Sequence, residues 1–459
     1  MDGAGAVQVM TNASIVLGSA VLFATLVMSR RRSRLWLLDP RGFLAVIVFL
    51  NACALPLYYA LSGHYPAVFG LDEKRIDEAT ILLVSGQMGL LCGTAIPTRT
   101  ASRLLPRLGR GIGTGRAFLL VLVASVLATG LFQYLRLLSH GLASVIGAQY
   151  GATQWDDAEG GIPAIYNLGR LCAPSLNVLI VVWAQLGRRL RSCKLLAITA
   201  YALLPALIAG GRRDVIFAVL ATMLAWALRA GRTRARQFAV LALLVVGIGY
   251  VLGVARSGKS LEWADRVAAV RSNASTHEHT VAARTVTMVS GTAVMTAALD
   301  TYGGSDNYGL GRTYWESVVN VLLPKAVMGY YPYTPPGLAF RELFYAEVDG
   351  YGMDYSLAAE AYQNFGVPGP FMVFCVMGWL LAVSFRKACE RGGVWLLLHM
   401  QCTTSALWAI RCDSNTSFKL LVYGCASTLA VYGIARGLSA RHEDPGNECR
   451  VYRVRKLLT

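Results

Sequence analysis

The 459-residue chain is poor in charge, since only 15% of its residues are charged whereas 55% are hydrophobic. A soluble domain of this size carries about a quarter charged residues. The apolar residues form unbroken blocks of about 16 to 22, the length that a helix needs to cross the hydrocarbon core of a bilayer. The alternating apolar and polar pattern of an outer-membrane barrel is missing. The sequence therefore predicts an all-α, polytopic membrane protein.

Common cofactor and metal motifs are missing as well. The chain has no Walker A loop, no dinucleotide-binding glycine fingerprint and no Asp-x-Asp sugar-nucleotide motif. Its ten cysteines lack the paired spacing of a disulfide framework or a zinc site. Among the six histidines, His277 and His279 are closely spaced, but no third ligand lies nearby. We therefore predict that the protein uses no cofactor and no metal.

The apolar blocks predict eleven transmembrane helices. The amino-terminal stretch MDGAGAVQVMTN has no positively charged region, so the first block is expected to stay as a span. The predicted spans are 11–29, 43–62, 80–97, 117–138, 171–187, 195–210, 215–229, 238–255, 369–385, 394–411 and 418–435.

Basic residues are concentrated in every second connection, from RRRSR after the first span to RKACER after the ninth. Basic loops stay in the cytoplasm, which places the amino terminus outside and the carboxyl terminus inside. The net charge of +17 is thus explained by topology, and we predict no nucleic-acid partner.

The spans divide the chain into four parts. Residues 1–255 hold spans one to eight, 256–368 form a large periplasmic loop, 369–435 hold spans nine to eleven, and 436–459 form a basic cytoplasmic tail. The loop is far longer than the connections of about 4 to 6 residues that are usual. In it, SLEWADRVAAVRS and TVTMVSGTAVMTAALD are predicted amphipathic helices that lie on or dip into the membrane. The stretch VMGYYPYTPPGLAFRELF is predicted to be irregular.

Two adjacent arginines stand on the outer side of the membrane, where the topology does not require positive charge. Arg212 and Arg213 occupy the turn GGRRD between spans six and seven, at the start of a helix. Helix amino termini attract anions, and guanidinium groups match phosphate oxygens. Further external arginines complete a candidate diphosphate-binding set: Arg256, Arg312, Arg341 and Arg411. The alternative is that these side chains anchor the protein at lipid head groups.

A second candidate site precedes span nine. SLAAEAYQNF predicts a short helix that ends at Gly366, and it carries Glu360 close after Asp354. A partly desolvated carboxylate at the membrane surface is suited to act as a general base, so both are catalytic candidates. The alternative is that Asp354 or Ser356 only caps the helix, while Glu360 is solvated or paired with an arginine.

The loop also contains ten of the 21 tyrosines of the chain. An aromatic face with a hydroxyl suits a ligand such as a sugar, which has both apolar faces and hydroxyl groups. The alternative is anchoring at the membrane interface. The candidate sugar-binding residues are Tyr314, Tyr331, Tyr333, Tyr355 and Tyr362.

Three stretches resemble the oligosaccharide repeat-unit polymerases, the O-antigen polymerase (Wzy) family of bacterial inner membranes. GGRRDVIFAVLATMLAW is similar to the external Gly-Arg turn of that family, and SLAAEAYQNFGVPGPF to the stretch that closes its large periplasmic loop. AIRCDSNTSFK is similar to its short arginine-containing turn before the last span.

The resemblance implies a GT-C-like fold in the bacterial inner membrane, with an active site that faces the periplasm. It implies a metal-independent glycosyltransferase of lipopolysaccharide or other surface polysaccharide synthesis. The donor would be a growing glycan on undecaprenyl diphosphate, and the acceptor a single lipid-linked repeat unit. Undecaprenyl-diphosphate-linked oligosaccharides and membrane lipids would be its partners, with a chain-length-regulating membrane protein as a further candidate.

Other functions remain open at this point. O-antigen ligases share the general plan and differ in the acceptor, although their typical loop histidine is not found here. A non-enzymatic flippase or exporter of lipid-linked glycans needs charges well inside several spans, and the predicted spans are nearly free of them. An O-acyltransferase is less favoured, because His399 is the sole histidine well inside a span.

Overall fold

Every element of the described structure is helical. The computed structural model describes residues 3–32, 40–62, 73–95, 116–139, 201, 286, 290–304, 308–324, 328–345 and 355–440. Within these ranges the helices are α1 (Gly3–Arg32), α2 (Pro40–Ser62), α3 (Glu73–Ala95), α4 (Arg116–Ser139), α5 (Thr292–Tyr302), α6 (Arg312–Leu322), α7 (Pro336–Tyr345), α8 (Leu357–Phe365), α9 (Gly369–Arg391), α10 (Val394–Ala409) and α11 (Ser414–Ala440). The all-α class is therefore confirmed for this part of the chain.

Seven of these helices, α1 to α4 and α9 to α11, overlap predicted spans. Three contain segments that are long and apolar enough to cross a membrane: Leu44–Ser62, Gly369–Arg391 and Ser414–Leu438. Apart from Tyr201, predicted spans five to eight and the stretch SLEWADRVAAVRS lie outside the described residues. The number of membrane crossings and their direction stay predictions.

Helices α3 and α9 cross at very short range. A Cβ atom at Gly89 would collide with the carbonyl of Phe371, and one at Gly93 with the carbonyl of Cys375. From the other side, a Cβ at Gly378 would lie 2.5 Å from the carbonyl oxygen of Leu90. Glycines four residues apart let helix backbones approach closely within a membrane, where packing replaces the hydrophobic effect as the driving force.

Helix α5 is buried rather than lying flat on a surface. Seven of its eleven residues are buried, and it packs on α2, α3 and α8. The backbone N–H of Gly291, which precedes α5, donates to the carbonyl of Asn51 in α2 at 2.8 Å. The amphipathic helix predicted over residues 285–300 thus coincides in its second half with a packed helix of the protein interior.

The prediction of an irregular segment over 327–344 is wrong in its second half. Residues 328–335 are largely irregular, but α7 begins at Pro336. Proline is favoured at the first position of a helix because its fixed φ matches the helix and its missing N–H needs no partner there. The next free amide, that of Gly337, donates to Asp413 Oδ2 at 2.8 Å. A distant carboxylate therefore caps this helix.

Basic residues lie at the opposite end of α9 from α8. Lys387 Nζ and the Arg391 guanidinium stand 4.8 Å and 5.4 Å from the ring centroid of Trp395, which opens α10. The 23 residues of α9 separate its two ends by about 34 Å. The turn between α9 and α10 and the region around α8 are thus at opposite ends of the helix bundle.

Candidate functional site

Glu360 is the centre of a buried hydrogen-bond cluster. Its side chain is 0% exposed. Oε1 accepts from the hydroxyls of Thr313 at 2.5 Å and Ser414 at 2.6 Å, and Oε2 accepts from the backbone N–H of Ser414 at 2.6 Å. These partners begin α6 and α11, so the carboxylate joins three helices that are far apart in sequence.

The local sequence of α8 places this carboxylate. Ser356 caps the helix by accepting from the N–H of Ala359 at 3.2 Å, and Gly366 ends it with a φ of 66°. The predicted helix and its end are confirmed. Gly369, the first residue of α9, lies so close to the carbonyl of Ala361 that a Cβ there would overlap it. The two glycines let the chain turn back at once, so α8 rests against the start of α9.

Burial dominates the electrostatics of Glu360. It raises the pKa of this carboxyl to about 7, and the charge of nearby Asp413 adds to the rise. Hydrogen bonds from Ser414 and Thr313 act in the opposite direction, because they stabilise the ionised form. Glu360 is therefore not a solvated side chain. Among the described residues, no arginine forms an ion pair with it.

Asp413 holds the neighbouring turn in place. Its Oδ1 accepts from the N–H of Thr416 at 2.9 Å in the first turn of α11, and its Oδ2 accepts from Gly337. Two carboxylates, those of Glu360 and Asp413, thus share the amino-terminal end of one 27-residue helix. Helix amino termini stabilise negative charge, which favours keeping two acidic groups here.

Asn364 completes the cluster on the other side of Thr313. Its Nδ2 donates to Thr313 Oγ1 at 2.7 Å and to the carbonyl of Glu360 at 2.8 Å, and its Oδ1 accepts from the N–H of Gly311 at 3.1 Å. Gly311 has a φ of 90°, which glycine adopts without strain. The turn before α6 is therefore fastened to the last turn of α8. We call Glu360, Thr313, Ser414, Asp413 and Asn364 the Glu360 cluster.

Two of the candidate arginines lie beside the Glu360 cluster. Arg312 directly precedes Thr313, and its side chain is 77% exposed with Nε 2.7 Å from Glu316 Oε1. Arg411 is partly exposed in the turn between α10 and α11, three residues before Ser414. Arg341 belongs to α7, and its side chain is outside the description. Three further arginines and one carboxylate of the predicted site lie outside the described residues: Arg212, Arg213, Arg256 and Asp354.

The candidate tyrosines fall into two groups. Tyr355 and Tyr362 are buried; Tyr355 stacks on Phe340 and donates to Gln363 Oε1 at 2.8 Å, and Tyr362 meets the edge of Tyr308. Tyr314 lies beside Glu360 and stacks on Phe365, with its ring centroid 6.1 Å away. Its hydroxyl is buried and has no hydrogen-bond partner among the described residues. Burial, followed by the charge of Glu360, raises the pKa of Tyr314 above its usual range.

Tyr331 and Tyr333 form the accessible group. Lys419 Nζ lies 4.7 Å from the ring centroid of Tyr331, a cation–π contact. Tyr333 is 41% exposed. Its backbone is held by the buried amide of Asn320, which accepts from the Tyr333 N–H at 3.1 Å and donates to its carbonyl at 2.8 Å. This segment therefore presents aromatic rings from a fixed backbone.

Sequence reasoning missed several members of this region. Thr313, Asp413 and Ser414 were not singled out, although the turn RCDSNTSFK is rich in helix-capping residues and suggests a buried helix start. Lys419 belongs to the stretch AIRCDSNTSFK, but the sequence indicates no role for it. Arg75, at the start of α3, was also missed; its Nε lies 3.3 Å from Asp300 Oδ1, and its charge lowers the pKa of Tyr362 against the larger effect of burial.

The comparisons with known proteins find a similarity in the carboxyl-terminal part of the chain. The family model described as O-antigen polysaccharide polymerase Wzy matches residues 344–440. No curated protein and no solved structure matches the chain. The matched segment begins at the end of α7 and contains α8 to α11, and so it includes Glu360, Asn364, Asp413 and Ser414 of the Glu360 cluster. The resemblance seen in the sequence is therefore confirmed for residues 344–440, a segment that is similar to the O-antigen polymerase (Wzy) family.

Proposed function

We propose that the protein polymerises lipid-linked oligosaccharide repeat units at the periplasmic face of the bacterial inner membrane. It transfers a growing glycan from undecaprenyl diphosphate to a hydroxyl of the incoming lipid-linked repeat unit. The observation that carries this proposal is the coincidence of the family match with a buried carboxylate cluster. Three features are parts of this proposal: an active site that faces the periplasm, a donor linked to undecaprenyl diphosphate, and a reaction that needs no metal ion.

The chemistry requires little from the protein. The bond between the sugar C1 and the diphosphate already has a good leaving group, so the enzyme must activate one hydroxyl and stabilise one departing anion. Positioned cations can stabilise that anion without a metal ion. A general base whose pKa lies near the working pH is the most effective proton acceptor.

Glu360 is the proposed base. Its pKa of about 7 leaves a large ionised fraction at neutral pH, and the ionised form is basic enough to take a proton from a sugar hydroxyl during attack. Asp354 remains the second candidate. The desolvation that raises the pKa also strengthens every electrostatic interaction of the charged form.

The external arginines are the proposed diphosphate-binding groups. Arg312 directly precedes Thr313, and Arg411 precedes Ser414 by three residues, so both arginines belong to the turns whose residues hold Glu360. The proposal includes four further arginines as ligands of the same diphosphate: Arg212, Arg213, Arg256 and Arg341. Tyr331 and Tyr333 are the accessible rings for sugar faces, and Lys419 adds a positive charge beside them.

Purified protein in liposomes should convert one synthetic undecaprenyl-diphosphate-linked repeat unit into a ladder of longer glycans. The products are resolved on a gel, and released undecaprenyl diphosphate is measured in parallel. Ladder and diphosphate release together identify a polymerase. Transbilayer movement of the glycolipid without new glycosidic bonds would identify an exporter instead, and glycan transfer to lipid A would identify a ligase.

Loss of a single external arginine should lower the rate of glycan lengthening. We expect Arg312→Ala and Arg212→Ala to reduce the rate about 10- to 1000-fold, in line with the removal of one charge-stabilising group from a transition state. The matched control is Arg386→Ala, since Arg386 also pairs with a glutamate four residues later but stands at the other end of α9. Equal rates for the Arg312 and Arg386 variants would remove Arg312 from the site.

A further inference from the structure

The proposed base cannot touch its substrate directly in this structure. Glu360 is 0% exposed, so none of its oxygen atoms is open to an acceptor sugar. Any proton that reaches the carboxylate must therefore pass through a group that is hydrogen-bonded to it. In the described part of the chain, these groups are the hydroxyl of Thr313 and the hydroxyl and backbone N–H of Ser414.

Of these two residues, Thr313 is the one that reaches the surface. Ser414 is fully buried, and its Oγ is 2.7 Å from Ser317 Oγ, whose residue is also fully buried. Thr313 lies in the first turn of α6 and is partly exposed. It follows the exposed Arg312, one of the proposed diphosphate ligands. The hydroxyl of Thr313 therefore connects the buried carboxylate with the side where both substrates would bind.

The hydrogen-bond network orients this hydroxyl. The N–H of Gly311 can only donate, so the Asn364 atom that faces it must be the amide oxygen. The amide nitrogen of Asn364 then faces Thr313 and donates to its Oγ1. Because Thr313 Oγ1 accepts this bond, its own hydrogen points to Glu360 Oε1. A hydroxyl oxygen accepts two hydrogen bonds, and Asn364 is the single donor to Thr313 Oγ1 within the described ranges. One lone pair of Thr313 is therefore available for a substrate hydroxyl.

We propose that Thr313 is a catalytic residue that relays the acceptor proton to Glu360. The acceptor hydroxyl gives its proton to Thr313 Oγ1 while the hydroxyl proton of Thr313 moves to Glu360 Oε1. The acceptor oxygen forms a bond with the sugar C1, and the bond from C1 to the diphosphate oxygen breaks with its electron pair on the diphosphate. Threonine ends unchanged, and Glu360 ends protonated. This inference rests on the proposed polymerase function.

Thr313→Val keeps the shape of the side chain and removes the hydroxyl. We expect it to lower the rate of glycan lengthening at least about 100-fold, the usual contribution of proton transfer by a positioned group. Thr313→Ser should retain most of the wild-type rate, because serine keeps a hydroxyl at the same place. The control is Thr301→Val in α5, where the exposed hydroxyl only donates to the carbonyl of Ala297 in its own helix. A Val variant within tenfold of the wild type, or a Ser variant as slow as the Val variant, would overturn the relay.

A second measurement keeps the relay testable if Thr313→Val does not fold. Single-turnover rates of the wild type are measured in mixtures of light and heavy water. A relay moves two protons in one step. A plot of the rate against the deuterium fraction of the solvent should therefore be curved. A straight line means one moving proton and rejects the relay. If Glu360→Gln is inactive while Thr313→Val lengthens glycans, the relay fails and the polymerase assignment stands; if the wild type makes no ladder, the proposed function itself fails.

Discussion

Glu360→Gln is expected to slow glycan lengthening by orders of magnitude while the protein remains folded. The amide has the size of the carboxylate, and its oxygen can still accept from the N–H of Ser414. Its NH₂ group can donate to Thr313 and Ser414, because both hydroxyls can rotate to accept. The variant therefore retains the hydrogen bonds that connect α6, α8 and α11, but its amide cannot take up a proton. We expect a rate loss of about 100- to 10,000-fold.

The pH dependence gives an independent check of the same residue. A general base must be ionised, so lengthening by the wild type should fall as the pH drops below about 7, the pKa of Glu360. The stability has the opposite dependence. A carboxyl whose pKa is raised on folding stabilises the protein when protonated, and this stabilisation is lost as the pH rises from its ordinary value of 4.5 to about 7. Above that pH, the Glu360→Gln variant should be at least as stable as the wild type.

These experiments separate a base from a structural residue. Lengthening by Glu360→Gln at the wild-type rate would exclude Glu360 as the base and leave Asp354 as the candidate. An inactive variant with a much lower unfolding temperature at pH 8 would indicate that the carboxylate mainly holds the helices together. Measured with the same glycolipid, the Glu360→Asp variant should be impaired as well, because its shorter side chain withdraws the carboxylate from Thr313.

The sequence predicted those parts of the site that depend on local pattern. The helix that carries Glu360 follows from Ser356 at its start and Gly366 at its end, and both act as caps in the structure. The start of α7 was missed because the cap comes from Asp413, 76 residues away from Gly337. Capping by a residue so far along the chain leaves no signal in the neighbouring sequence.

The chemical environment of Glu360 could not be predicted for the same reason. Its hydroxyl partners, Thr313 and Ser414, are 47 and 54 residues away in sequence. Burial of a single glutamate in a short amphipathic helix depends on which helices cover it, and that is a property of the tertiary structure. The spacing of SLAAEAYQNF is also compatible with a solvated or an arginine-paired side chain.

Helix packing also explains why a remote part of the chain is expected to influence this site. Helix α8 reaches α9 through the turn from Gly366 to Gly369, and α9 in turn packs on α3. A shift of α9 would move α8 relative to α6 and α11, and a displacement of about 1 Å at a catalytic group can cost about 100-fold in rate. The α3–α9 contact is therefore part of the support of the Glu360 cluster.

Gly93→Ala is expected to destabilise the protein strongly. The added methyl group would overlap the carbonyl of Cys375 in α9, a backbone atom that cannot rotate away. The helices must separate, at a cost of about 1 to 3 kcal/mol or more in a well-packed interface. Gly89→Ala should behave alike, because its Cβ would overlap the carbonyl of Phe371. The unfolding temperature of the detergent-solubilised protein measures the effect, and glycan lengthening should fall with it.

Gly433→Ala in α11 is the matched control, because it introduces the same methyl group inside a helix. Apart from the nearby backbone of α11 itself, no atom of the described structure lies within 4 Å of the position that a Cβ would occupy there. Replacing a helical glycine with alanine in open space stabilises a helix by about 0.5 to 1 kcal/mol, since alanine loses less backbone freedom on folding. The two substitutions should therefore shift the unfolding temperature in opposite directions. A Gly93→Ala variant as stable as the Gly433→Ala variant would show that α3 and α9 are not in close backbone contact, and the support that this contact gives to Glu360 would have to come from elsewhere.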